Sequence, residues 1–264
     1  MDTNIEELSL EELATNTNNS IIRADMWGDL VNWKNRRLEQ DGFLAPTLKK
    51  HGCRKVLDAA SGDGIDALYL IENGFEVTTN EHDIAFRKIA IKNACKLGIE
   101  LEPDSFDWRE LTSNYGKNIF DAVVCIGNSI VCLPYKNEIP NALTNFYSVL
   151  NKDGILIIDE RNYQKVIDNR EAALIGALQP SGKFLYTGTD KVIARFSEVT
   201  CERVIHEYTH LKTGKKAYYQ VYPLKNCELE EMLYKVGFSI VTKLSDYETT
   251  ANSNADFFQY VCIK

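Results

Sequence analysis

Short apolar stretches alternate with amphipathic ones through the middle of the chain. Stretches rich in valine, leucine and isoleucine, which predict buried strands, occupy residues 55–59, 76–79, 120–126 and 155–159. Helical patterns bounded by Asp, Pro or Gly lie between them, over residues 66–73, 83–97 and 140–150. This alternation predicts an α/β fold in which a parallel sheet carries helices on both faces.

The pattern changes in the C-terminal third. Residues 183–224 contain strand-like stretches of Val, Thr and Tyr with a turn at Thr213-Gly214, which predicts an antiparallel insertion. A predicted helix at residues 228–236 is followed by strands at 239–244 and 257–263. Because no helix separates these two strands, we expect a final hairpin on the sheet.

The N-terminal segment, residues 1–20, is polar and acidic, with a break at residues 16–20. A mobile tail and a lid over a site explain it equally well. Residues 27–50 have a helical pattern that glycine and proline interrupt. The expected organisation is therefore a tail or lid followed by one domain at residues 21–264, whose insertion at about 164–224 covers a site.

Composition narrows the choice of partner. A chain of 264 residues, 44% of them hydrophobic, is large enough for one well-packed core. The net charge of −8 and the pI near 5.2 argue against nucleic acid and favour a small molecule. Seven cysteines without a C-x-x-C pair favour reduced thiols in the cytoplasm, and the four histidines lack metal-ligand spacing. Neither a secretory signal nor a membrane span is expected, and a homo-oligomer remains open.

A glycine turn follows the first predicted strand. The strand runs through Asp58 and Ala59 into a turn that contains Gly62 and Gly64, and the second strand is followed by Glu81. In units of this kind the glycines let the backbone approach a ligand, and the acid accepts hydrogen bonds from ribose hydroxyls. The pattern predicts an adenosine-type cofactor.

Two cofactors are compatible with this loop. Residues 62–67 satisfy G-x-G-x-x-A, which permits an NAD-dependent oxidoreductase. S-adenosylmethionine is favoured by the position of Asp58, where an acid can meet the methionine ammonium, by the lack of a second mononucleotide fingerprint, and by the terminal strand pair. Asp107 and Trp108 can bind and cover an adenine, although a core position is the alternative for Trp108.

Two motifs at strand ends are more specific than the glycine loop. Gly127-Asn128-Ser129 follows the third predicted strand, and Arg161-Asn162-Tyr163 follows the fourth. With residues 49–64 and 72–78, they make the chain from Trp27 onward resemble the glycine and glycine/sarcosine N-methyltransferases. The resemblance implies a Rossmann-like class I fold, with a mostly parallel seven-stranded sheet and an antiparallel last strand. It also implies S-adenosylmethionine as cofactor and methylation of glycine and sarcosine on a route toward betaine.

The resemblance, together with the glycine loop, assigns residues to the site. Cofactor contacts are expected at Trp27, Arg36, Asp58, Ala59, Gly62, Gly64, Glu81, Asp107, Trp108, Ile126 and Ser129. Substrate and catalytic contacts are expected at Asn128, Arg161, Tyr186, Tyr208 and Tyr222. Among the cofactor contacts, Arg36 resembles an arginine that reaches the cofactor's carboxylate.

Arg161 carries the substrate assignment. A guanidinium binds a carboxylate through two parallel hydrogen bonds, which lysine cannot reproduce. Arg161 follows a parallel strand at its carboxyl end, where such sheets bind ligands. The alternatives are an ion pair of Arg161 with Glu160 or Asp159, and a turn-forming role for Asn128. Of the tyrosines on the inserted strands, alternation lets only some face inward.

Three positions depart from the family pattern. Cys132 stands where histidine is frequent, Met26 stands where the animal enzymes have tyrosine, and the tyrosine of the inserted segment aligns with Tyr186 or with Thr187. Cys132 is either a pocket wall or a small buried hydrophobic residue. The closest alternative function is the same chemistry on another small amine, and a non-catalytic S-adenosylmethionine sensor is a further one. None of the histidines is assigned a catalytic role.

Overall fold

The structure is a computed structural model that describes residues 9–31, 33, 36–37, 42–181 and 190–264. Its helices are α1 (Leu10–Thr15), α2 (Thr17–Leu30), α3 (Leu44–Lys50), α4 (Ile65–Glu72), α5 (Ile84–Lys96), α6 (Leu111–Tyr115), α7 (Ile139–Val149), α8 (Tyr163–Asp168), α9 (Arg170–Leu174) and α10 (Glu228–Val236). Its strands are β1 (Lys55–Asp58), β2 (Glu76–Thr79), β3 (Phe120–Cys125), β4 (Leu150–Arg161), β5 (Val192–Val199), β6 (Val204–His210), β7 (Lys216–Val221), β8 (Ser239–Ser245) and β9 (Phe257–Ile263). Within these ranges, no helix is long and apolar enough to cross a bilayer.

The main sheet has the strand order β2-β1-β3-β4-β9-β8. The first four strands are parallel, and β9 runs antiparallel to both of its neighbours. Side chains alternate between the faces: Leu57 and Val123 pack under α7, whereas Val56 and Val124 pack against α3 and α4. The predicted parallel sheet, its covering helices and the final hairpin are therefore confirmed.

The described residues form six strands in this sheet, where the resemblance implies seven. Beyond β2 the backbone makes one parallel bridge, between Asn80 and Asp104. The pairing stops there because the Asn80 side chain takes over from the backbone: its Oδ1 accepts from Phe106 N at 2.8 Å and its Nδ2 donates to Phe106 O at 3.0 Å. The edge next to β2 is therefore closed by a carboxamide rather than by a strand.

Strands β5, β6 and β7 form a separate antiparallel sheet, which confirms the predicted insertion and its turn after β6. Helix α2 packs against this sheet. Asn19 Nδ2 donates to Tyr218 O at 2.7 Å, and Tyr218 N donates to Asn19 Oδ1. The predicted break at residues 16–20 is in fact the start of α2, where Asn16 Oδ1 caps the helix by accepting from Asn18 N at 2.8 Å. Residues 1–8 lie outside the described part, and the choice between tail and lid stays a prediction.

Glu160 is a buried carboxyl on the face of β4 that also carries Leu156 and Ile158. Its Oε1 accepts from Tyr260 Oη at 2.7 Å, while Oε2 has no hydrogen-bond partner. Burial raises the pKa of Glu160 from 4.5 to about 8. The folded protein thus keeps a proton that the unfolded chain releases near pH 4.5. The stability that this proton confers is present below that pH and is lost as the pH rises toward 8.

We therefore expect Glu160→Gln to flatten the fall in unfolding temperature between pH 5 and pH 8, because glutamine has no proton to lose. The substitution removes at most about 1.4 kcal/mol per pH unit from the pH dependence of the free energy of unfolding. Thermal unfolding of both proteins across this range measures it. Two other buried carboxyls, Asp63 and Asp159, have raised pKa values of about 7 and about 6, so the comparison of variant with wild type isolates Glu160. Parallel profiles for the two proteins would contradict the expectation.

Candidate active site

A cavity of about 500 Å³ lies at the carboxyl ends of the parallel strands, beneath the inserted sheet and α2. Its walls come from the loops after β1, β2 and β3, the end of β4, and the strands β6 and β7. Eleven of the residues expected in the site line it: Trp27, Ala59, Gly62, Glu81, Asp107, Trp108, Ile126, Asn128, Ser129, Arg161 and Tyr208. The fold thus brings together residues that are spread over most of the sequence.

The two loop glycines have different roles. Gly62 has a φ of +53°, and a Cβ built on it would meet no atom closer than Ala60 O at 4.0 Å, so its open side faces the cavity. Gly64, with a φ of +82°, does not line the cavity, and a Cβ there would lie 3.0 Å from Ala90 Cβ of α5. The Cβ side of Gly64 therefore faces α5 and not the cavity, and its missing side chain lets α4 pack against α5. Its expected contact with the cofactor stays a prediction.

Because of this difference, we expect alanine at position 64 to affect mainly stability and alanine at position 62 to affect mainly cofactor binding. Gly64→Ala is expected to destabilise the protein by about 1–3 kcal/mol, through the collision with α5 and the left-handed φ. Gly62→Ala bears only the φ penalty, but it places a methyl group in the cavity and should weaken cofactor binding more. Thermal unfolding and titration calorimetry with S-adenosylmethionine measure the two effects. Weaker cofactor binding by Gly64→Ala at an unchanged unfolding temperature would contradict the assignment.

Two carboxyl groups follow the glycine-loop pattern, the buried Asp58 and the half-buried Glu81. Asp58 is 2% exposed and does not line the cavity, so its expected cofactor contact stays a prediction. Its Oδ1 accepts from Ala60 N at 3.3 Å, and its Oδ2 has no partner. Burial, reinforced by the nearby charge of Asp66, raises the pKa of Asp58. Glu81 accepts from Gly62 N and from Asp83 N, both at 2.8 Å, and burial raises its pKa as well. An unpartnered buried carboxylate oxygen is costly unless a cation meets it.

Arg36 does not line this cavity. Its guanidinium pairs with Asp66 in the first turn of α4, lies over the Trp33 ring, and approaches the site of a Gly127 Cβ to within 3.5 Å. Burial raises the pKa of Asp159, and the charge of Arg36 offsets part of that rise. The structure thus places Arg36 behind the loop that follows β3, and its expected contact with a cofactor carboxylate stays a prediction.

Asp107 and Trp108 form another wall. The Asp107 carboxylate is held by Arg109, whose Nε donates to Oδ1 at 2.8 Å, and this lowers the pKa of Asp107. The Trp108 indole N–H donates to Ala59 O at 2.6 Å, and its ring packs edge-on against Phe146 with the centroids 6.0 Å apart. Trp108 therefore packs on the core and lines the cavity at the same time.

Asn128 and Arg161 meet at the ends of β3 and β4. The Arg161 N–H donates to Asn128 Oδ1 at 2.9 Å, and the Arg161 guanidinium lies over the Phe257 ring, 4.5 Å from its centroid. The ion pair considered for Arg161 is absent within the described residues. Asp159 accepts from Gly127 N and Asn128 N instead, and Glu160 accepts from Tyr260.

The three expected tyrosines have different outcomes. Tyr208 is buried and lines the cavity; burial raises its pKa. Tyr222 does not line it: the hydroxyl donates to Glu228 Oε2 at 3.1 Å and accepts from Lys225 Nζ at 3.0 Å, beside a second cavity. Tyr222 lies just beyond the end of β7 at Val221, and its expected place in the active site stays a prediction. Tyr186 and Thr187 lie outside the described residues.

No protein-family model matches the chain. It is 32% identical over 243 residues to the glycine/sarcosine N-methyltransferase of Aphanothece halophytica, covering 91% of this chain and 87% of that protein. The chain belongs to the glycine/sarcosine N-methyltransferase family. It is also 33% identical over 169 residues to the glycine N-methyltransferase of Oryctolagus cuniculus, covering 60% of this chain and 55% of that one.

Solved structures show the same fold. An S-adenosylmethionine-dependent methyltransferase from Clostridium acetobutylicum superimposes with a TM-score of 0.67 at 15% identity, covering 94% of this chain and 99% of that one. By family and fold, the chain is an S-adenosylmethionine-dependent methyltransferase. Gly62 and the Glu81 carboxylate line the cavity and fit this cofactor, whose ribose needs such a partner. Asp58 does not line the cavity, but its unpartnered oxygen is chemically suited to the cofactor's ammonium.

Among the other residues of this N-methyltransferase that line the cavity are Arg23, His206 and Tyr219, which are absent from the expected set. Cys132 is exposed and also lines the cavity, which favours the pocket wall over the buried hydrophobic residue. Cys132 Sγ lies 2.7 Å from Tyr219 Oη, and the Arg23 guanidinium lies 4.8 Å from the Tyr219 ring centroid. His206 and Tyr219 are directly opposed on β6 and β7. His206 and Tyr208 are two positions apart on β6 and therefore share a face of the sheet. The prediction that Tyr208 faces the site could thus have been extended to His206.

Proposed function

We propose that the protein transfers methyl groups from S-adenosylmethionine to the amine of glycine and of sarcosine, on a route toward betaine. The observation that carries this is the Arg161 guanidinium. It lines the cavity beside Asn128, and no carboxylate in the described part of the chain pairs with it. A cation held in this way matches the carboxylate of a small amino acid. The names of the family relatives support the same substrates.

The cofactor, when bound, supplies an electrophilic methyl group on a sulfonium. We propose that Asp58 Oδ2 accepts from its ammonium, that Glu81 accepts from its ribose hydroxyls, and that Asp107 and Trp108 hold its adenine. Asp58 is buried and Glu81 is half-buried, and hydrogen bonds to a carboxylate are stronger where water is largely excluded. These contacts orient one reactant and require no covalent chemistry from the protein.

At the other end of the cavity, Arg161 and Asn128 hold the substrate carboxylate, which leaves the amine to face the methyl group. The reaction needs a neutral amine with a free lone pair. Tyr208 Oη, which makes no hydrogen bond within the described residues, and Tyr219 Oη are placed to orient that amine. Alignment of the two reactants and exclusion of water then supply most of the rate. The inserted sheet of β5, β6 and β7 covers the site together with α2. We propose that the insertion as a whole, about residues 164–224, serves this purpose.

Mass spectrometry of the products from glycine, sarcosine and dimethylglycine, offered separately with S-adenosylmethionine, tests the proposal. We expect sarcosine and dimethylglycine from glycine, and dimethylglycine from sarcosine. Betaine from dimethylglycine would extend the series by a third methylation. Cofactor binding without turnover of glycine or sarcosine would overturn the proposal and support a sensor. All seven cysteines are free, which is consistent with the cytoplasmic location that we also propose.

A second candidate is methylation of another small amine that carries a carboxylate. It rests on the Cys132–Tyr219 pair, which forms the wall beside Tyr208 with a short side chain at position 132. A panel of amino acids with larger amine substituents distinguishes the two. Turnover of a larger amine at a higher kcat/KM than glycine would favour this second candidate.

A further inference from the structure

A continuous chain of hydrogen bonds runs behind the proposed carboxylate site. It begins at Asn128, which is 5% exposed and has a φ of +65°, unusual for a residue other than glycine. Asn128 Oδ1 accepts from the Arg161 N–H at 2.9 Å. Since a backbone N–H can only donate, the oxygen end of the carboxamide must face Arg161. The Nδ2 end therefore faces Tyr163, and it donates to Tyr163 Oη at 2.8 Å.

Tyr163 extends this chain of hydrogen bonds to the inserted sheet. It is fully buried at the start of α8, and its Oη lies 3.1 Å from His206 Nε2 on β6. Because Oη already accepts from Asn128, its own hydrogen is available to the imidazole. Burial and the charge of Arg161 lower the pKa of His206 to about 3. The ring is therefore neutral at physiological pH, and Nε2 accepts.

The His206 ring is itself held in place. It packs against the rings of Phe196, Tyr208 and Tyr219, with centroid distances of 4.8, 6.2 and 5.8 Å. Its position is thus set by strands β5, β6 and β7 together. The hydrogen-bond chain joins this inserted sheet to the loop after β3 and to the end of β4, which are the elements that carry Asn128 and Arg161.

We propose that Tyr163 and His206 are positioning residues for substrate binding. They hold the Asn128 carboxamide in the orientation in which its second Nδ2 hydrogen serves the carboxylate that Arg161 binds. They also tie the inserted sheet to that site. This rests on the proposed function, because it assumes a carboxylate beside Arg161. Neither residue needs to touch the substrate for this role.

Tyr163→Phe tests the chain, because it deletes the hydroxyl and keeps the ring. We expect KM for glycine to rise about tenfold, the worth of one hydrogen bond, with kcat within about twofold of wild type. Affinity for S-adenosylmethionine, measured by calorimetry, should not change. Tyr260→Phe is the matched control: it removes another buried tyrosine hydroxyl bond, to Glu160 on the opposite face of β4, and should leave KM unchanged. An unchanged KM in Tyr163→Phe would overturn the proposal.

Two further comparisons separate positioning from general loosening of the fold. In an Asn128→Ala background, Tyr163→Phe should cause no additional rise in KM, since the residue through which it acts is gone. An equal rise in both backgrounds would overturn the proposal. His206→Phe should raise KM, and His206→Gln, which retains an acceptor, should restore most of the loss. Failure of glutamine to restore it would argue against the hydrogen bond.

Acetate distinguishes this proposal from the proposed function, because it carries the carboxylate without an amine. Its affinity is measured in the presence of S-adenosylhomocysteine. If the wild type binds acetate, Tyr163→Phe binds it about tenfold more weakly, and no amino acid is methylated, the function fails and the positioning role stands. If the wild type methylates glycine and Tyr163→Phe matches it in KM and in acetate affinity, the positioning role fails and the function stands.

Discussion

Arg161→Lys is expected to lower kcat/KM for glycine about 100-fold or more. Lysine keeps the charge but replaces two parallel N–H donors with one compact ammonium on a different stem, and charge-assisted hydrogen bonds are worth about 1.5–3 kcal/mol each. The guanidinium is also fixed by packing over Phe257, at 4.5 Å from the ring centroid, which an ammonium would not reproduce. Steady-state kinetics at saturating S-adenosylmethionine measures the loss.

Binding of the cofactor should be unaffected by Arg161→Lys. Affinity for S-adenosylmethionine, measured by calorimetry, is expected to stay within about twofold of wild type. Arg203→Lys is the matched control, since Arg203 Nε pairs with Glu198 Oε1 at 2.7 Å beside the second cavity, away from the reaction. Glycine turnover by Arg161→Lys close to that of wild type would remove the basis for the substrate assignment.

Asp58→Asn should separate cofactor binding from stability. The Asp58 carboxyl has lost its water, and its Oδ2 has gained no partner from the protein. Asparagine removes the charge, so affinity for S-adenosylmethionine is expected to fall about 100-fold, as for the loss of a buried charge-assisted hydrogen bond. Without cofactor, the unfolding temperature at pH 8 should not fall, and it should rise if the carboxylate is ionised there. Calorimetry and thermal unfolding measure the two effects.

Glu160→Gln provides the control, because it neutralises another buried carboxyl on the opposite face of the sheet. It is expected to alter the pH dependence of stability while leaving cofactor affinity unchanged. Wild-type affinity in Asp58→Asn would show that the cofactor ammonium is bound elsewhere. A lower unfolding temperature in the absence of cofactor would show that Asp58 serves the fold.

The sequence predicted those parts of the fold that depend on periodicity along one segment. Strands β1 to β4, the helix that Asp83 caps, and the hairpin of β8 and β9 all follow from local patterns. The absence of a seventh strand among the described residues does not follow from a local pattern. It depends on the Asn80 side chain, which binds the backbone of Phe106, 26 positions away. Periodicity along one segment does not indicate that a side chain, and not a strand, will pair with that backbone.

The same limit applies to the site. Asn128 and Arg161 were predictable because the ends of parallel strands meet at one edge of a sheet. The register between β6 and β7 was not predictable from the sequence. It places His206 opposite Tyr219, and Tyr222 lies beyond the end of β7. The roles of the two loop glycines were likewise indistinguishable, because only the approach of Ala90 from α5 separates them.

The contact between Asn19 and β7 has a consequence for solubility. Strand β7 is an edge of its sheet, and exposed edges invite pairing with strands of other molecules. At Tyr218 the Asn19 carboxamide supplies both the donor and the acceptor that a neighbouring strand would supply. If α2 detached, the cavity would be uncovered and the edge of β7 would be exposed to pairing with strands of other molecules. The docking of α2 thus both covers the site and protects this edge from self-association.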